Sequence, residues 1–425
     1  MTEVEERLDV LIVGFYYPPE PIGIAPYTAG LARGLVERGH RVRVIVGYPH
    51  YPWWKVAEGY RGLRRREVID GVEVVRVRHP VPKDSTTLSR VAMEAVYAAH
   101  AATVRGPRPD VVLAVSPALL SVATALTWRK PGRTAVGVIT QDIYSRALVE
   151  TGALGGRGAR AAARLEGGLL SRADGVAIIH DIFREPLVGL GVDPARISVI
   201  RNWSHIGEPT GARSEVRKRL GWGEDEFIAL HTGNMGHKQG LENVVEAARL
   251  ADGADVPIRF VLMGDGARRR ALEALGAGVR CLQFVDPLPD GEFEDALAAA
   301  DVLVLNEKPG IAEMCVPGKL TSYFAAGRPV VAATDPRSGA TAEMRAAGAG
   351  TCVDSGRPQL LLDAALRVGR DRAGAAAFGR QGREYSLDVL TQTAALDAYA
   401  GWAERLARGR TSGSCVPQLA SGTTR

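Results

Sequence analysis

The stretch FIALHTGNMGHKQGLENVVEAA (227–248) decides the fold of this 425-residue chain. It begins with an apolar run typical of a buried strand, continues into a turn with three glycines, and ends in an amphipathic helical pattern. A glycine turn between a strand and a helix directs backbone N–H groups to one point, where the helix dipole favours negative charge. Lys238 adds a positive charge there. The pattern predicts a Rossmann-like unit whose turn holds phosphate.

The same alternation of apolar runs and amphipathic segments fills the chain and predicts an α/β fold with parallel sheets. One series starts at LDVLIVGFYY (8–17), and a second starts at FIALHTGN (227–234). This restart predicts two Rossmann-like domains, residues 1–205 and residues 206–389. The other predicted strands are 40–48, 110–117, 134–142, 175–180, 197–202, 258–266, 301–307 and 328–335.

Three segments depart from this alternation. RREVIDGVEVVRVRHP (65–80) alternates in polarity around Asp70-Gly71, which predicts a β-hairpin. Residues 390–408 predict a single helix. The polar, turn-rich residues 409–425 predict a disordered tail.

Composition and charge narrow the function. The net charge of +5 permits an anionic ligand or an acidic membrane surface, and without a nucleic-acid motif we expect no nucleic-acid partner. The four cysteines are far apart and lack metal-ligand spacing, so we expect a reduced cytoplasmic setting and no metal site. We also expect no cofactor. No apolar run is long enough to predict a membrane-spanning helix, and peripheral attachment to the inner membrane face stays open.

Four motifs follow one another in a fixed order and carry a family resemblance. They are FYYPPEPIGIAPYTAGLARGLVERG (15–39), HTGNMGHKQGLENVVEAA (231–248), VLMGDGARRRALEAL (261–275) and VPGKLTSYFAAGRPVVA (316–332). Together they resemble the retaining GT-B glycosyltransferases of family four, which implies that the two Rossmann-like domains face each other across a cleft. The subgroup they resemble builds bacterial exopolysaccharide and O-antigen units, such as colanic-acid and fucosamine transferases. The resemblance covers roughly residues 8–405.

The resemblance implies a reaction and a substrate for each domain. A hexosyl or N-acetylhexosaminyl group passes from a nucleotide-diphosphate sugar to an acceptor hydroxyl, with retention of the anomeric centre. The first domain binds the acceptor and the second binds the donor, while the last helix crosses back to the first domain. Uracil is the commonest base in the family, which favours a UDP-sugar.

The resemblance also implies roles for donor-site residues. Lys238 matches the lysine that grips the diphosphate, and Gly23 matches the glycine whose backbone closes over the phosphates. Gly264 and Gly266 lie in a loop that encloses the nucleobase, where the chain turns under the base and needs small residues. The donor-binding candidates are Gly23, Gly233, Asn234, Lys238, Gly264, Gly266, Phe284, Val285, Lys319 and Ser322.

The chain departs from the family pattern at two places. Asn234 stands where an arginine usually accompanies the lysine. Of two glutamates seven residues apart, the second position holds Ser322 and the first falls near Met314, beside Glu313. Lys319, in a PGK triplet that resembles the PSK triplet of exopolysaccharide members, is the candidate to supply the missing positive charge.

The predicted catalytic residues are Lys238, Asp142 and Glu313. The resemblance implies a front-face displacement without an obligatory protein nucleophile. Lys238 and Lys319 would stabilise the charge that develops on the leaving β-phosphate, because preorganised donors act most strongly where charge appears.

Acceptor-side candidates follow predicted strands of the first domain. Ligands of doubly wound sheets bind beyond the carboxyl ends of the strands. Asp142 ends the predicted strand 134–142 and is expected to orient the acceptor hydroxyl. His50 and Tyr51 follow the strand 40–48 and are expected on the acceptor side.

One segment predicts a membrane surface as partner. YPWWKVAEGYRGLRRREV (51–68) places Trp53, Trp54 and Tyr60 beside five basic residues, and such rings and charges favour an anionic lipid headgroup zone. A lipid-linked glycan would then be a natural acceptor. The alternatives are a solvated hairpin whose aromatic rings pack on the core, and a natural-product acceptor in solution. The basic residues are Lys55, Arg61, Arg64, Arg65 and Arg66.

Three other functions remain as alternatives. A nicotinamide-dependent dehydrogenase needs a G-x-G-x-x-G turn after the first strand, where this chain has VGFYYPPEPIG (13–23) with its prolines. A nucleotide-sugar epimerase on the same fold would act on the donor alone. The missing glutamates also leave room for a non-catalytic sugar-binding subunit.

Overall fold

The computed structural model describes residues 7–20, 23–51, 53–82, 87–150, 155–311 and 316–409. These residues form two α/β units, each with one sheet between layers of helices. The strands of the first unit are β1 (Asp9–Val13), β2 (Arg41–Gly47), β3 (Arg64–Ile69), β4 (Val72–Val77), β5 (Val111–Ser116), β6 (Ala135–Thr140), β7 (Gly175–Ile178) and β8 (Ile197–Val199). Those of the second are β9 (Phe227–Thr232), β10 (Ile258–Met263), β11 (Leu282–Val285), β12 (Val302–Asn306), β13 (Val330–Thr334) and β14 (Gly350–Asp354).

The strand orders are those of doubly wound sheets. The first sheet runs β3-β4-β2-β1-β5-β6-β7-β8, and the second runs β11-β10-β9-β12-β13-β14. The helices are α1 (Ala25–Glu37), α2 (Thr87–Ala102), α3 (Leu119–Leu126), α4 (Tyr144–Glu150), α5 (Gly156–Leu170), α6 (Arg184–Gly189), α7 (Arg213–Leu220), α8 (Glu242–Gly253), α9 (Arg269–Leu275), α10 (Glu292–Ala299), α11 (Lys319–Ala325), α12 (Gly339–Ala347), α13 (Pro358–Arg370), α14 (Arg372–Val389) and α15 (Gln392–Gly409).

The predicted hairpin is present and is formed by β3 and β4. These strands pair antiparallel with Ile69 opposite Val72, whereas the other ladders of the two described sheets are parallel. Asp70 and Gly71 have φ angles of 50° and 77°. Positive φ at both central positions is what a two-residue turn needs to match the twist of the strands. β3 is the edge strand of the first sheet.

Two apolar cores enclose the first sheet. On one face α1 and α15 pack against the strands, and Trp402 of α15 is buried beside β6 and β7. On the other face α2, α3 and α5 cover the same strands. The last helix of the described chain therefore belongs to the core of the first unit. The predicted tail lies outside the described residues from 410 onward.

Two strands of the second sheet, β11 and β14, have no counterpart among the sequence-based predictions. Both are edge strands, and most of their residues are only half-buried. An edge strand with a partly exposed face needs no dense apolar run, so the signal that marked the central strands is missing.

The chain passes from the first unit to the second near residue 205. Trp203 packs into the first core, and Ile206 packs against the second. A buried contact joins the units further along, where Glu343 on α12 receives hydrogen bonds from His180 (3.2 Å) and Arg201. No helix in the described ranges is both long enough and apolar enough to cross a membrane.

Candidate functional site

Two loops of the second unit are tied together at the carboxyl end of its sheet. Asn306, the last residue of β12, donates from its side-chain nitrogen to the backbone oxygens of Gln239 (2.7 Å) and Gly240 (2.9 Å). The backbone N–H of Lys308 donates to the carbonyl of Lys238 at 2.7 Å. The loop that carries Lys238 is therefore held against the end of β12.

Lys238 lies in the glycine turn between β9 and α8, where the strand–turn–helix pattern puts it, and α8 begins at Glu242. The carbonyl of Lys238 accepts from the N–H of Lys308 and not from a following turn of helix. The charge of Lys238 is thus placed by a loop–loop contact.

Gly264 and Gly266 allow the loop after β10 to pack directly on the loop after β9. A Cβ atom at Gly264 would overlap the carbonyl oxygen of Gly233, and one at Gly266 would lie 2.7 Å from the carbonyl oxygen of Met235. The N–H of Met235 in turn donates to Asp265 at 2.8 Å. Close packing of two loops accounts for both glycines, and their contact with a nucleobase stays a prediction.

The predicted base-side residues Phe284 and Val285 lie on β11. Both are half-buried, and their side chains contact the two different cores of the second unit. The carbonyl of Val285 accepts from the N–H of Gly264 at 2.9 Å, so β11 borders the loop of the two glycines. Asn234 is exposed on the neighbouring loop.

Lys319 brings a second lysine to the loop of Lys238. It is the first residue of α11, and its Nζ atom lies 3.0 Å from Nε2 of His231 on β9. A Cβ atom at Gly233 would lie 3.8 Å from the same Nζ. Burial lowers the pKa of Lys319 to about 7, while the carboxylate of Glu307 acts in the opposite direction.

Two further candidates, Ser322 and Glu313, belong to the segment around Lys319. Ser322 is buried within α11, one turn after Lys319. Glu313 lies outside the described residues. The roles predicted for both residues stay predictions.

Glu307 is a site residue that the sequence analysis did not single out. It directly follows β12 and is 6% exposed, and its Oε2 has no hydrogen-bond partner among the described residues. Burial raises the pKa of Glu307 to about 7, although the positive charges of Lys238 and Lys319 act to lower it. A signal was present, because an acidic residue ends the apolar run 301–307 just as Asp142 ends its own strand.

The first unit contributes Asp142 and Tyr51 to the same place. Burial raises the pKa of Asp142 and of Tyr51, and in both cases the charge of Lys238 opposes the shift. A Cβ atom at Gly23 would lie 3.8 Å from the ring of Tyr51. Asp142 and Tyr51 thus both lie within reach of the charge of Lys238, and Gly23 lies next to Tyr51.

His50 lies one layer below Tyr51. It is 1% exposed, and its ring packs against Phe15 and His79 with ring centroids 5.4 and 4.8 Å apart. Burial lowers the pKa of His50 to about 4, so the ring is neutral at neutral pH. Its acceptor contact stays a prediction, and the neighbouring Tyr51 is half-buried.

Buried Glu20 shapes the acceptor side and was also missed. Its carboxylate accepts from the backbone N–H groups of Tyr17 (3.1 Å), His50 (3.0 Å) and Tyr51 (2.9 Å). A carboxylate between two loops can replace the backbone partners that irregular segments lack. Glu20 therefore joins the loops after β1 and β2. Its only sequence signal was a position in the proline-rich turn after the first strand.

Matches to known proteins add to this geometry. Residues 23–203 match the Glycosyl transferase 4-like domain, and residues 226–371 match the Glycosyl transferases group 1 domain. WcaI of Escherichia coli strain K12, named for a glycosyl transferase of colanic acid biosynthesis, is 30% identical over 335 residues, which are 75% of this chain and 82% of WcaI. This chain belongs to the glycosyltransferase family.

Solved structures agree on the fold of the glycosyltransferase. Sucrose-phosphate synthase of Thermosynechococcus elongatus superposes with a TM-score of 0.70 at 17% identity, covering 94% of this chain and 99% of its own. HepE of Anabaena, in complex with UDP-glucose, gives a TM-score of 0.68 at 16% identity, covering 96% of this chain and 100% of its own. The predicted GT-B fold and glycosyltransferase activity are confirmed. The dehydrogenase and epimerase alternatives are left without support.

Proposed function

We propose that the glycosyltransferase moves a sugar from a UDP-sugar to a hydroxyl group of a glycan acceptor, with retention of the anomeric configuration. The observation that carries the proposal is the convergence of Lys238 and Lys319 on one loop of the second unit, with Asp142 and Tyr51 of the first unit near Lys238. The complex of HepE with UDP-glucose and the colanic acid role in the name of WcaI support the substrate classes.

The two lysines are suited to a diphosphate. A diphosphate diester carries two negative charges, and Lys319 stands close to the position where Asn234 replaces the arginine expected from the resemblance. Backbone N–H groups of the 233–240 loop would complete the site. Glu307 lies close enough to both lysines to interact with their charges.

The proposed reaction needs no group beyond the two substrates and these side chains. The bond between the sugar C1 and the β-phosphate oxygen breaks, and a bond from C1 to the acceptor oxygen forms on the same face. The acceptor proton passes to the leaving phosphate oxygen, and UDP departs. Lys238 and Lys319 stabilise the charge on that phosphate, and Asp142 holds the acceptor hydroxyl.

We further propose that the enzyme works at an anionic membrane surface on a lipid-linked acceptor. Trp53, Leu63 and Val68 are 66%, 67% and 73% exposed, and Arg64, Arg65 and Arg66 are all exposed beside them. Exposed apolar side chains among arginines favour a lipid headgroup zone. This patch directly follows Tyr51 of the cleft, so a lipid-linked glycan could reach the donor.

The aromatic rings of this segment divide between surface and interior. Trp54 is half-buried beneath the guanidinium of Arg90, 4.9 Å from the ring centroid, and Tyr60 lies between Arg65 (5.0 Å) and Arg76 (5.3 Å). The alternative of rings packed on the core thus describes Trp54, and Tyr60 is held between two guanidinium groups. Of the three rings, Trp53 is the exposed one and joins Leu63 and Val68 in the proposed lipid contact.

The donor and stereochemistry are tested together. UDP-, GDP-, ADP- and dTDP-sugars are screened by thermal shift, because a ligand that binds the folded state raises Tm by mass action. Donors that bind are then incubated with a short-chain polyprenyl-diphosphate sugar, and the anomeric coupling of the product is read by proton NMR. Selective stabilisation by UDP-sugars and a retained α-linkage are expected. Stabilisation by another base, or an inverted product, contradicts the proposal.

A further inference from the structure

His231 is a buried histidine with both ring nitrogens engaged. It lies in β9 and is 0% exposed. Nδ1 is 3.0 Å from the carbonyl oxygen of Val304 on β12, and Nε2 is 3.0 Å from Nζ of Lys319. A carbonyl oxygen can only accept, so Nδ1 carries the proton and Nε2 offers a lone pair. The ammonium of Lys319 must then be the donor.

We propose that His231 is a positioning residue of the diphosphate site, which holds the Lys319 ammonium above Gly233 through this one tautomer. The inference rests on the proposed function and adds to it a residue that touches neither substrate. The lysine side chain has four rotatable bonds, and fixing them when the donor binds costs conformational entropy. Because the contact with His231 already restricts the side chain, less entropy is lost when the donor binds.

The ring keeps its role across the working pH range. Burial lowers the pKa of His231 well below its ordinary value, and the charge of Lys319 lowers it further. The imidazole therefore stays neutral and remains an acceptor. This follows the common pattern in which the bond at one ring nitrogen fixes the task of the other.

The position of the Lys319 ammonium depends on the groups that face it, which are His231 from β9 and Glu307 from the end of β12. The carboxylate of Glu307 in turn interacts with the charges of Lys238, Glu150 and Asp335. Without His231 the ammonium would be free to turn toward Glu307. The anchor keeps the two positive charges of Lys238 and Lys319 at the same loop.

A purely structural histidine would be an unusual choice here. The residues that precede it in β9, such as Ala229 and Leu230, are apolar and are buried in the two cores. A polar ring in such a place is costly unless its nitrogens are paired. One nitrogen is paired with the backbone, and the other is paired with Lys319 in the cleft.

The test uses two substitutions of equal polarity. His231→Gln keeps an acceptor near the position of Nε2 and thus the contact with Lys319. His231→Asn keeps a donor near the position of Nδ1 and thus the contact with Val304. We expect Kd for the UDP-sugar to rise about tenfold or more in His231→Asn, and only about two- to threefold in His231→Gln. Equal losses in both variants, or none in either, would overturn the assignment.

A double-substitution cycle separates positioning from folding. In a Lys319→Met background, His231→Asn should weaken donor binding no further, because the two residues act through one contact. Additive losses would show that His231 acts by another route and would refute the proposal. The melting temperatures of all variants are measured alongside to exclude unfolding as the cause.

A readout without nucleotide distinguishes failure of the inference from failure of the proposed function. The Lys319 ammonium is titrated by NMR in protein with ¹³C-labelled lysine, with Lys319→Met for assignment. Loss of the acceptor disfavours the charged form, so the pKa should fall by about one unit in His231→Asn and stay near the wild-type value in His231→Gln. An unchanged pKa in both variants overturns the inference even if UDP-sugars bind. A shift without any UDP-sugar binding would instead refute the proposed donor.

Discussion

The carboxylate of Glu343 on α12 lies 3.2 Å from Nε2 of His180, which follows β7, and this buried contact joins the two units. Nδ1 of His180 accepts from the N–H of Ile182 at 3.1 Å, so Nε2 carries the proton and donates. The guanidinium of Arg201 binds the same carboxylate. Burial alone would raise the pKa of Glu343, but these two donors hold it below its ordinary value. The contact between the units therefore depends on an ionised carboxylate.

Replacing this carboxylate should loosen the contact between the units. We expect Glu343→Ala to lower the free energy of unfolding by about 2–3 kcal/mol, because the half-buried guanidinium of Arg201 and the ring of His180 lose their buried partner, and to raise KM for the donor. Because the pKa is lowered in the folded state, the stabilisation is present above the ordinary glutamate pKa and is lost as the pH falls. The exposed pair of Glu208 and Arg383 is the control, and Glu208→Ala should cost under about 1 kcal/mol. Equal effects of the two substitutions would contradict this role.

Lys238 should be required for turnover but not for folding. We expect Lys238→Ala to reduce kcat about 10²- to 10³-fold at saturating donor, because one preorganised charge on the leaving phosphate is lost. Lys308→Ala is the matched control, since Lys308 is an exposed lysine on the loop bonded to Lys238. Near-normal turnover of Lys238→Ala, with Lys308→Ala equally active, would remove Lys238 from the catalytic site.

Donor affinity should fall as the pH rises from 6 to 8.5. Lys319 and Glu307 both have a pKa of about 7. At the lower pH, Lys319 is more fully protonated and positive, and Glu307 is more fully protonated and neutral. Both titrations therefore favour a diphosphate at pH 6, and we expect about tenfold weaker binding at pH 8.5. UDP-glucose is the ligand for calorimetry, because its diphosphate diester does not titrate in this range.

The contribution of Glu307 can be isolated by Glu307→Gln. This variant should bind UDP-glucose more tightly at pH 8.5 and show a flatter pH dependence, since only Lys319 still titrates. An unchanged slope would mean that Glu307 does not face the diphosphate.

Central strands and the loops that follow them could be predicted from the sequence, because a strand buried on both faces must be an apolar run and ligands lie at its carboxyl end. This rule led to Lys238 and Asp142. The same rule covers Glu307, which ends the apolar run 301–307, although Glu307 was not among the predicted site residues. His231 gave no signal, because its role depends on Val304 and Lys319, which are distant in sequence and meet only in the folded chain. The edge strands β11 and β14 were missed because half-buried strands lack the apolar run.

The last helix should be indispensable to the first unit. Seven residues of α15 are buried, and Trp402 and Leu396 lie in the first core. We expect Trp402→Ala to cost about 3–5 kcal/mol, and removal of residues 390–425 to prevent stable folding, because a large part of one core would be exposed. Removal of 411–425 is the control and should leave Tm and activity unchanged, since this polar segment has few apolar residues to bury. A stable, active 1–389 chain would contradict the role of α15.

The arginines of β3 should bind the enzyme to anionic lipid. Vesicles with and without phosphatidylglycerol are sedimented at low and high salt, and we expect binding only to the anionic vesicles and only at low salt. Changing Arg64, Arg65 and Arg66 to glutamine should abolish it, because each basic residue contributes about 1 kcal/mol near such a surface. The matched control changes three exposed arginines of the second unit, Arg345, Arg370 and Arg372. If both triple variants lose binding equally, the attraction is a general effect of net charge. If the wild type stays in the supernatant, the membrane proposal fails, and an acceptor in solution becomes the substrate to test.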